Sequence, residues 1–202
     1  MRIKGTSIAS FLGFLQTEFG ASRVKEFVAT LEPNLRKRCE GLVLASAFYP
    51  VEELDGIARK ARDYFQPNAS FFERSGAHNA TVGLEGVHRS LLARPTPLDF
   101  LKAAERSWGQ FADSGTVKTD IVGDGSARVR IEGFPGSEVV CARGTGFLTR
   151  SLELAGAQSL AVRKTACTRS GALVCEWNIT WDADRSPQPQ ALTTGLRRPM
   201  AG

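Results

Sequence analysis

After Gly115 the hydrophobic period of this chain shortens from about 3.6 residues to about 2, so a helical first half must pack on a sheet built from the second. Upstream, Ile8, Phe11, Leu12, Leu15 and Phe19 recur at helical spacing behind Thr6 and Ser7 as candidate N-caps, and Gly20 stops the run. Ser22 to Leu31 repeats the pattern with Val24, Phe27 and Val28, and a third helix is expected over Asn34 to Leu44. Tyr49-Pro50 punctuates, and Val51 to Phe65 carries Leu54, Ile57, Ala58 and Ala61 behind the acidic pair Glu52-Glu53, which suits a helix N-terminus. Ser70 to Leu92 reads as helix again, with Gly76, Gly83 and Gly86 indicating close packing or a break. Pro97, at a first-turn position, leads Phe100, Leu101, Ala104, Trp108 and Phe111 into a further helix.

Downstream, Val117, Thr119 and Ile121 alternate with polar residues, as do Ala127, Val129 and Ile131, and Gly123-Asp124-Gly125 between them is hairpin chemistry. A helix is expected from about Val140 to Ala155. Beyond it Leu160 to Cys167 and Leu173 to Trp181 flank Ser170-Gly171 as a second hairpin, with Leu173, Cys175, Trp177, Ile179 and Trp181 on one face. The fold class is therefore α+β, with N-terminal helices packed on a four-stranded antiparallel sheet of ββαββ order. Residues 1–182 make one domain, and the proline-bearing segment 183–202 is expected to be a flexible tail.

Composition narrows the function classes. With 202 residues, 42% of them hydrophobic, the chain can bury one sizeable core. No apolar run approaches the roughly 18 to 20 residues that span a bilayer, and no signal peptide opens the chain, so a soluble cytoplasmic protein with no membrane partner is expected. The net charge of +5 invites a nucleic-acid reading, but the basic residues are scattered, and neither Arg36-Lys37-Arg38 nor Arg197-Arg198 is interleaved with aromatics as a strand-binding groove requires. A solvated surface accounts for them better.

Cysteine placement gives the one candidate site with a mechanism. Cys167 and Cys175 bracket the second hairpin turn, so strand pairing puts them at one end of the sheet, and Cys141 opens the preceding helix. There the helix dipole would lower its thiol pKa. Three thiolates suit a structural zinc that clamps helix to hairpin, although the fourth ligand is missing from the pattern. Ordinary buried thiols remain the competing reading. Cys39, on a charged helix, looks unrelated.

Val140-Cys141-Ala142-Arg143-Gly144-Thr145-Gly146, Leu154-Ala155-Gly156-Ala157, Cys167-Thr168-Arg169-Ser170-Gly171 and Cys175-Glu176-Trp177 resemble the C-terminal half of the 4-vinyl-reductase domain, a small-molecule-binding module of the NO-signalling and Golgi-transport ligand-binding superfamily. The resemblance implies a zinc held by Cys141, Cys167 and Cys175 beside a hydrophobic cavity for an aromatic effector. It also implies a glutamate ligand where this chain has Lys164. Relatives of this kind dimerise, so a homodimer is implied as well. Over nearly its whole length, from Lys4-Gly5 through Phe48-Tyr49-Pro50 and Trp108 to Trp181, the chain also resembles a myxobacterial paralogous family of about 200-residue proteins of unknown function.

The expected function is a non-enzymatic small-molecule-sensing or regulatory module for a hydrophobic or aromatic ligand. Phe100, Trp108, Phe111, Phe134 and Phe147 are the candidate lining residues, and His88 is a candidate polar contact. Each aromatic could equally be plain core, and Trp177 and Trp181 could be core or dimer interface. A scaffold module with no small ligand is the alternative. Catalysis, with Cys141 as nucleophile and His88 as base, has no local motif behind it, and Gly144-x-Gly146 lies in a helix start, outside any βαβ unit, so a dinucleotide reading fails.

Overall fold

The computed structural model describes residues 1–85 and 96–186. A three-residue strand β1 (Arg2–Lys4) leads into α1 (Gly5–Phe19), then α2 (Ala21–Ala29) and α3 (Pro33–Glu40). Strand β2 (Phe48–Pro50) pairs antiparallel with β1 and runs into α4 (Val51–Phe65) and α5 (Phe71–Glu85). After α6 (Pro97–Arg106) and a short 3-10 turn come β3 (Thr116–Gly123), β4 (Ser126–Glu132), α7 (Glu138–Leu154), β5 (Ala161–Ala166) and β6 (Cys175–Thr180). The four C-terminal strands form one antiparallel sheet in the order β3-β4-β6-β5, the expected ββαββ arrangement.

Several boundaries move, each for a local reason. Helix α1 starts at Gly5, ahead of the candidate caps Thr6 and Ser7, because Lys4 is tied to Phe111 and Gly5 to Ala47 by backbone hydrogen bonds that set its first turn. Helix α3 ends at Glu40, short of Leu44; Leu42 and Leu44 are exposed, so nothing apolar holds a further turn. The aromatic run after Pro97 divides: α6 stops at Arg106, and Trp108 and Phe111 lie on the 3-10 turn and just beyond it. Leu173 is 94% exposed and precedes β6, and Ile121 near the β3–β4 turn is half exposed, so neither joins the inner face assigned to it. Trp177 and Trp181 are buried in the core of this single chain.

The inner face of the sheet, with Val117, Ala127, Val129, Cys175, Trp177 and Ile179 buried, packs on α6 and α7. A second apolar cluster joins α1, α2 and α4 to the start of α5. The two meet where α5 lies against α7 at backbone contact: a Cβ on Gly76 would sit 2.0 Å from the Arg143 carbonyl oxygen, and one on Gly146 would sit 1.9 Å from that of Glu73. Gly76 therefore serves close packing, and Gly146, in the middle of α7, has that role too. No helix among the described residues is long and apolar enough to cross a membrane.

Candidate functional site

The three cysteines converge. Cys141 Sγ lies 3.9 Å from Cys167 Sγ and 3.7 Å from Cys175 Sγ, and all three sulfurs fall within 4.8 Å of one another. Cys175 opens β6, while Cys167 ends the loop side of β5 and accepts backbone hydrogen bonds from Ser170 and Ala172. Gly171 closes that turn with φ +85°, in the left-handed region that favours glycine. Ser137 caps α7 by accepting from the Val140 N–H at 2.9 Å, so the helix begins two residues earlier than the spacing suggests and Cys141 sits a full turn inside it.

Burial overturns the expected thiol acidity. It pushes the Cys141 thiol up to about 12, outweighing any help from the helix end. Burial also opposes a thiolate at Cys175, but hydrogen bonds from Thr168 and the nearby Lys164 charge prevail and hold that thiol below its ordinary value. Cys39 lies apart, half-buried against the helical cluster, where burial pushes its thiol up to about 11.

Two residues around the sulfurs have surroundings that the sequence did not disclose. A Cβ on Gly136, whose φ is +28°, would sit 2.4 Å from Thr168 Oγ1 and 3.1 Å from Cys175 Sγ, so only glycine lets this loop cross the cluster. Lys164, named at first as the residue in place of a family glutamate, has a buried Nζ with no hydrogen-bond partner, 3.9 Å from the Trp177 ring centroid. With thiolates at Cys141, Cys167 and Cys175, a zinc ion has its sulfur donors in hand: arms of about 2.3 Å in a tetrahedron place sulfurs about 3.8 Å apart, which the two short separations straddle.

A cavity of about 170 Å³ lies between helices and sheet. Phe100, Trp108, Phe111, Phe134 and Phe147 all contribute to its wall, so the five aromatics singled out from sequence share one enclosure. Phe111 and Phe147 meet edge-to-face with centroids 6.0 Å apart. Trp177 closes the sheet side, its indole N–H donating to Thr145 Oγ1 at 2.9 Å. His88 lies outside the described residues. His78, on α5, packs on Phe14, and burial followed by the Arg143 charge holds its imidazole below the usual range.

The polar part of the wall was not anticipated. Ser7, Asn79 and Arg143 line it from α1, α5 and α7, and Thr119 lines it from β3. Arg143 is 5% exposed. Its guanidinium donates to Ser75 Oγ at 2.8 Å and to the Ser7 carbonyl at 3.3 Å, and lies 5.2 Å from the centroid of Phe11. The available signal was positional: residue 143 follows buried Val139 by four and precedes buried Gly146 by three, which is one face of a helix.

No family model matches the chain, and no curated protein matches it. Among solved structures it is similar to one described as giving insight into the mechanism of H-NOX activation, with TM-score 0.71 and 13% identity over 93% of this chain and 100% of that one. It is also similar to an H-NOX protein from S. oneidensis in the Fe(II)NO ligation state, with TM-score 0.68 and 13% identity over 89% and 99% of the two chains. An Fe(II) unliganded H-NOX mutant from K. algicida gives 0.67 and 15% over 89% and 96%. Over about nine-tenths of its length, this chain has the fold of the H-NOX proteins.

Proposed function

We propose that this chain is a non-enzymatic small-molecule-sensing module of the 4-vinyl-reductase type, with its ligand in the aromatic-walled cavity and a structural zinc held by Cys141, Cys167 and Cys175. Two observations carry this reading: five aromatic side chains from separated segments line one cavity, and three cysteine sulfurs cluster at zinc-like spacing. An apolar chamber with a few polar groups is what small-molecule sites require. A zinc would supply folding stability by tying α7 to the β5–β6 turn, and the sulfur spacing suits it. Lys164 cannot serve as the family glutamate does, so the fourth position falls to water or another donor.

H-NOX structures bring haem into consideration, because two of those similar to this chain concern haem distortion. The described residues do not fit one. A haem needs an axial donor and room for a macrocycle, whereas no His, Cys or Tyr lines this cavity among the described residues and its 170 Å³ is small for such a group. Met1 supplies the one thioether in the wall among the described residues, but a thioether ligates haem in cytochromes together with a His, and His78 is not part of the lining.

Native mass spectrometry of the purified protein, paired with elemental analysis, tests the proposal. One zinc per chain and a co-purifying small organic molecule are expected. A metal-free chain that binds no organic ligand would leave only a scaffold. The same spectra read the homodimer that the resemblance implies.

A further inference from the structure

A buried cation in the wall of an apolar cavity requires a counter-charge, and this chain supplies none among its described residues. No salt bridge among the described residues includes Arg143, and burial is what holds its guanidinium below the usual arginine range. The one imidazole near it, His78, is a base and offers no negative charge. Two neutral hydrogen bonds and the Phe11 ring are weak compensation for removing a full charge from water. Those two hydrogen bonds engage two of the five N–H groups that a guanidinium carries. Asn79, another lining residue, accepts from Ser10 at 2.8 Å through Oδ1, and its amide nitrogen is a donor.

Resting on the reading of this cavity as a ligand site, we infer that its ligand is a one-ring aromatic carboxylate, anchored through its carboxylate by Arg143 with help from Asn79. Size supports the single ring: an apolar cavity of about 150 Å³ accepts benzene, and this one measures about 170 Å³. Charge supports the carboxylate, since a planar guanidinium fork matches it in two parallel hydrogen bonds. A further polar atom fits the same picture. Thr119 Oγ1, on the sheet wall, is buried without a hydrogen-bond partner, so a hydroxyl on the ring would find an acceptor or donor there. The flat walls suit an aromatic body, with Trp108 and Trp177 as neighbours.

The test is calorimetric titration of the full chain with benzoate and with its neutral isostere benzamide, repeated on Arg143→Met and Arg143→Lys. Wild-type protein should bind benzoate at least about 10-fold more tightly than benzamide, and Arg143→Met should erase that preference while leaving benzamide within about 3-fold. Arg143→Lys, which keeps the charge and loses the fork, should fall between. Benzamide binding as well as benzoate to wild type would overturn the anionic ligand while leaving the cavity reading intact, and this comparison needs no variant to fold. Neither probe binding at millimolar concentration would overturn both.

Discussion

The approach of α5 to α7 sets where Asn79 and Arg143 stand in the cavity wall, so a single methyl placed between these helices is the sharpest perturbation available. Gly76→Ala would put a Cβ 2.0 Å from the Arg143 carbonyl oxygen, and Gly146→Ala one 1.9 Å from that of Glu73. Real Cβ contacts stay beyond 3.0 Å, so the helices must part by about 1 Å in either variant. Overpacking a close-packed contact costs about 1–3 kcal/mol. Because the obstacle is backbone in a fixed helix, and no flexible side chain can swing away, the cost lies near about 3 kcal/mol. Against it stands the helix-propensity gain of replacing glycine by alanine, about 1 kcal/mol. The net loss is about 2 kcal/mol, or about 4–8 °C in Tm for a chain of this size. Urea denaturation followed by far-UV circular dichroism measures it, with an unchanged slope expected. The double variant should lose less than the sum, because helices already parted by one methyl admit the second more easily. A Gly76→Ala protein about 1 kcal/mol more stable than wild type, as on a solvent-facing helix, would refute the packing argument.

Cys167→Ser should lower Tm by about 6 °C or more if thiolate ligation holds the β5–β6 turn, and a strong chelator should then destabilise wild type but not the variant; equal melting of all samples would mark the thiol as merely packed. Lys164→Glu places a carboxylate where the buried ammonium stands and should tighten zinc binding at least about 10-fold, read by competition with a chromophoric chelator. Arg2 donates to Asp113 from its backbone N–H and its guanidinium, holding that carboxyl near about 2 against an ordinary 3.8. The folded value is depressed, so the contact contributes above the unfolded value and is lost as pH falls through about 2; the Tm difference between wild type and Asp113→Asn should therefore be present near neutrality and vanish in strong acid, and a pH-independent difference would contradict the pairing.

What the sequence disclosed followed from how many residues carried each signal. Helix α4 matched its expected bounds because Leu54, Ile57, Ala58, Ala61 and Phe65 all repeat one period, and the sheet followed from three alternating runs. The paired three-residue strands β1 and β2 were invisible, since alternation over three residues is no pattern and their pairing joins Ile3 to Tyr49 across most of the helical half. The cysteine cluster was readable for a topological reason: a hairpin turn brings Cys167 and Cys175 to one sheet end, and the crossing helix returns Cys141 there.

The cavity shows where that logic runs out. Phe100 and Phe134 are nearly as buried as any core phenylalanine, while Phe111 and Phe147 are only partly covered, so neither hydrophobicity nor burial separates a ring that lines a chamber from one that fills it. The distinction lies in what is missing between the rings, and a one-dimensional pattern records no voids. Arg143 shows the converse: its stripe position between Val139 and Gly146 pointed inward, but its charge argued for the surface. Where residue type and helical phase disagree on a face that is otherwise buried, phase has prevailed here, because α7 cannot turn Arg143 outward without also withdrawing Gly146 from α5. A charge kept inside by such geometry is held only by Ser75, the Ser7 carbonyl and the Phe11 ring, and it is on that conflict between local chemistry and global packing that the proposed anionic ligand rests.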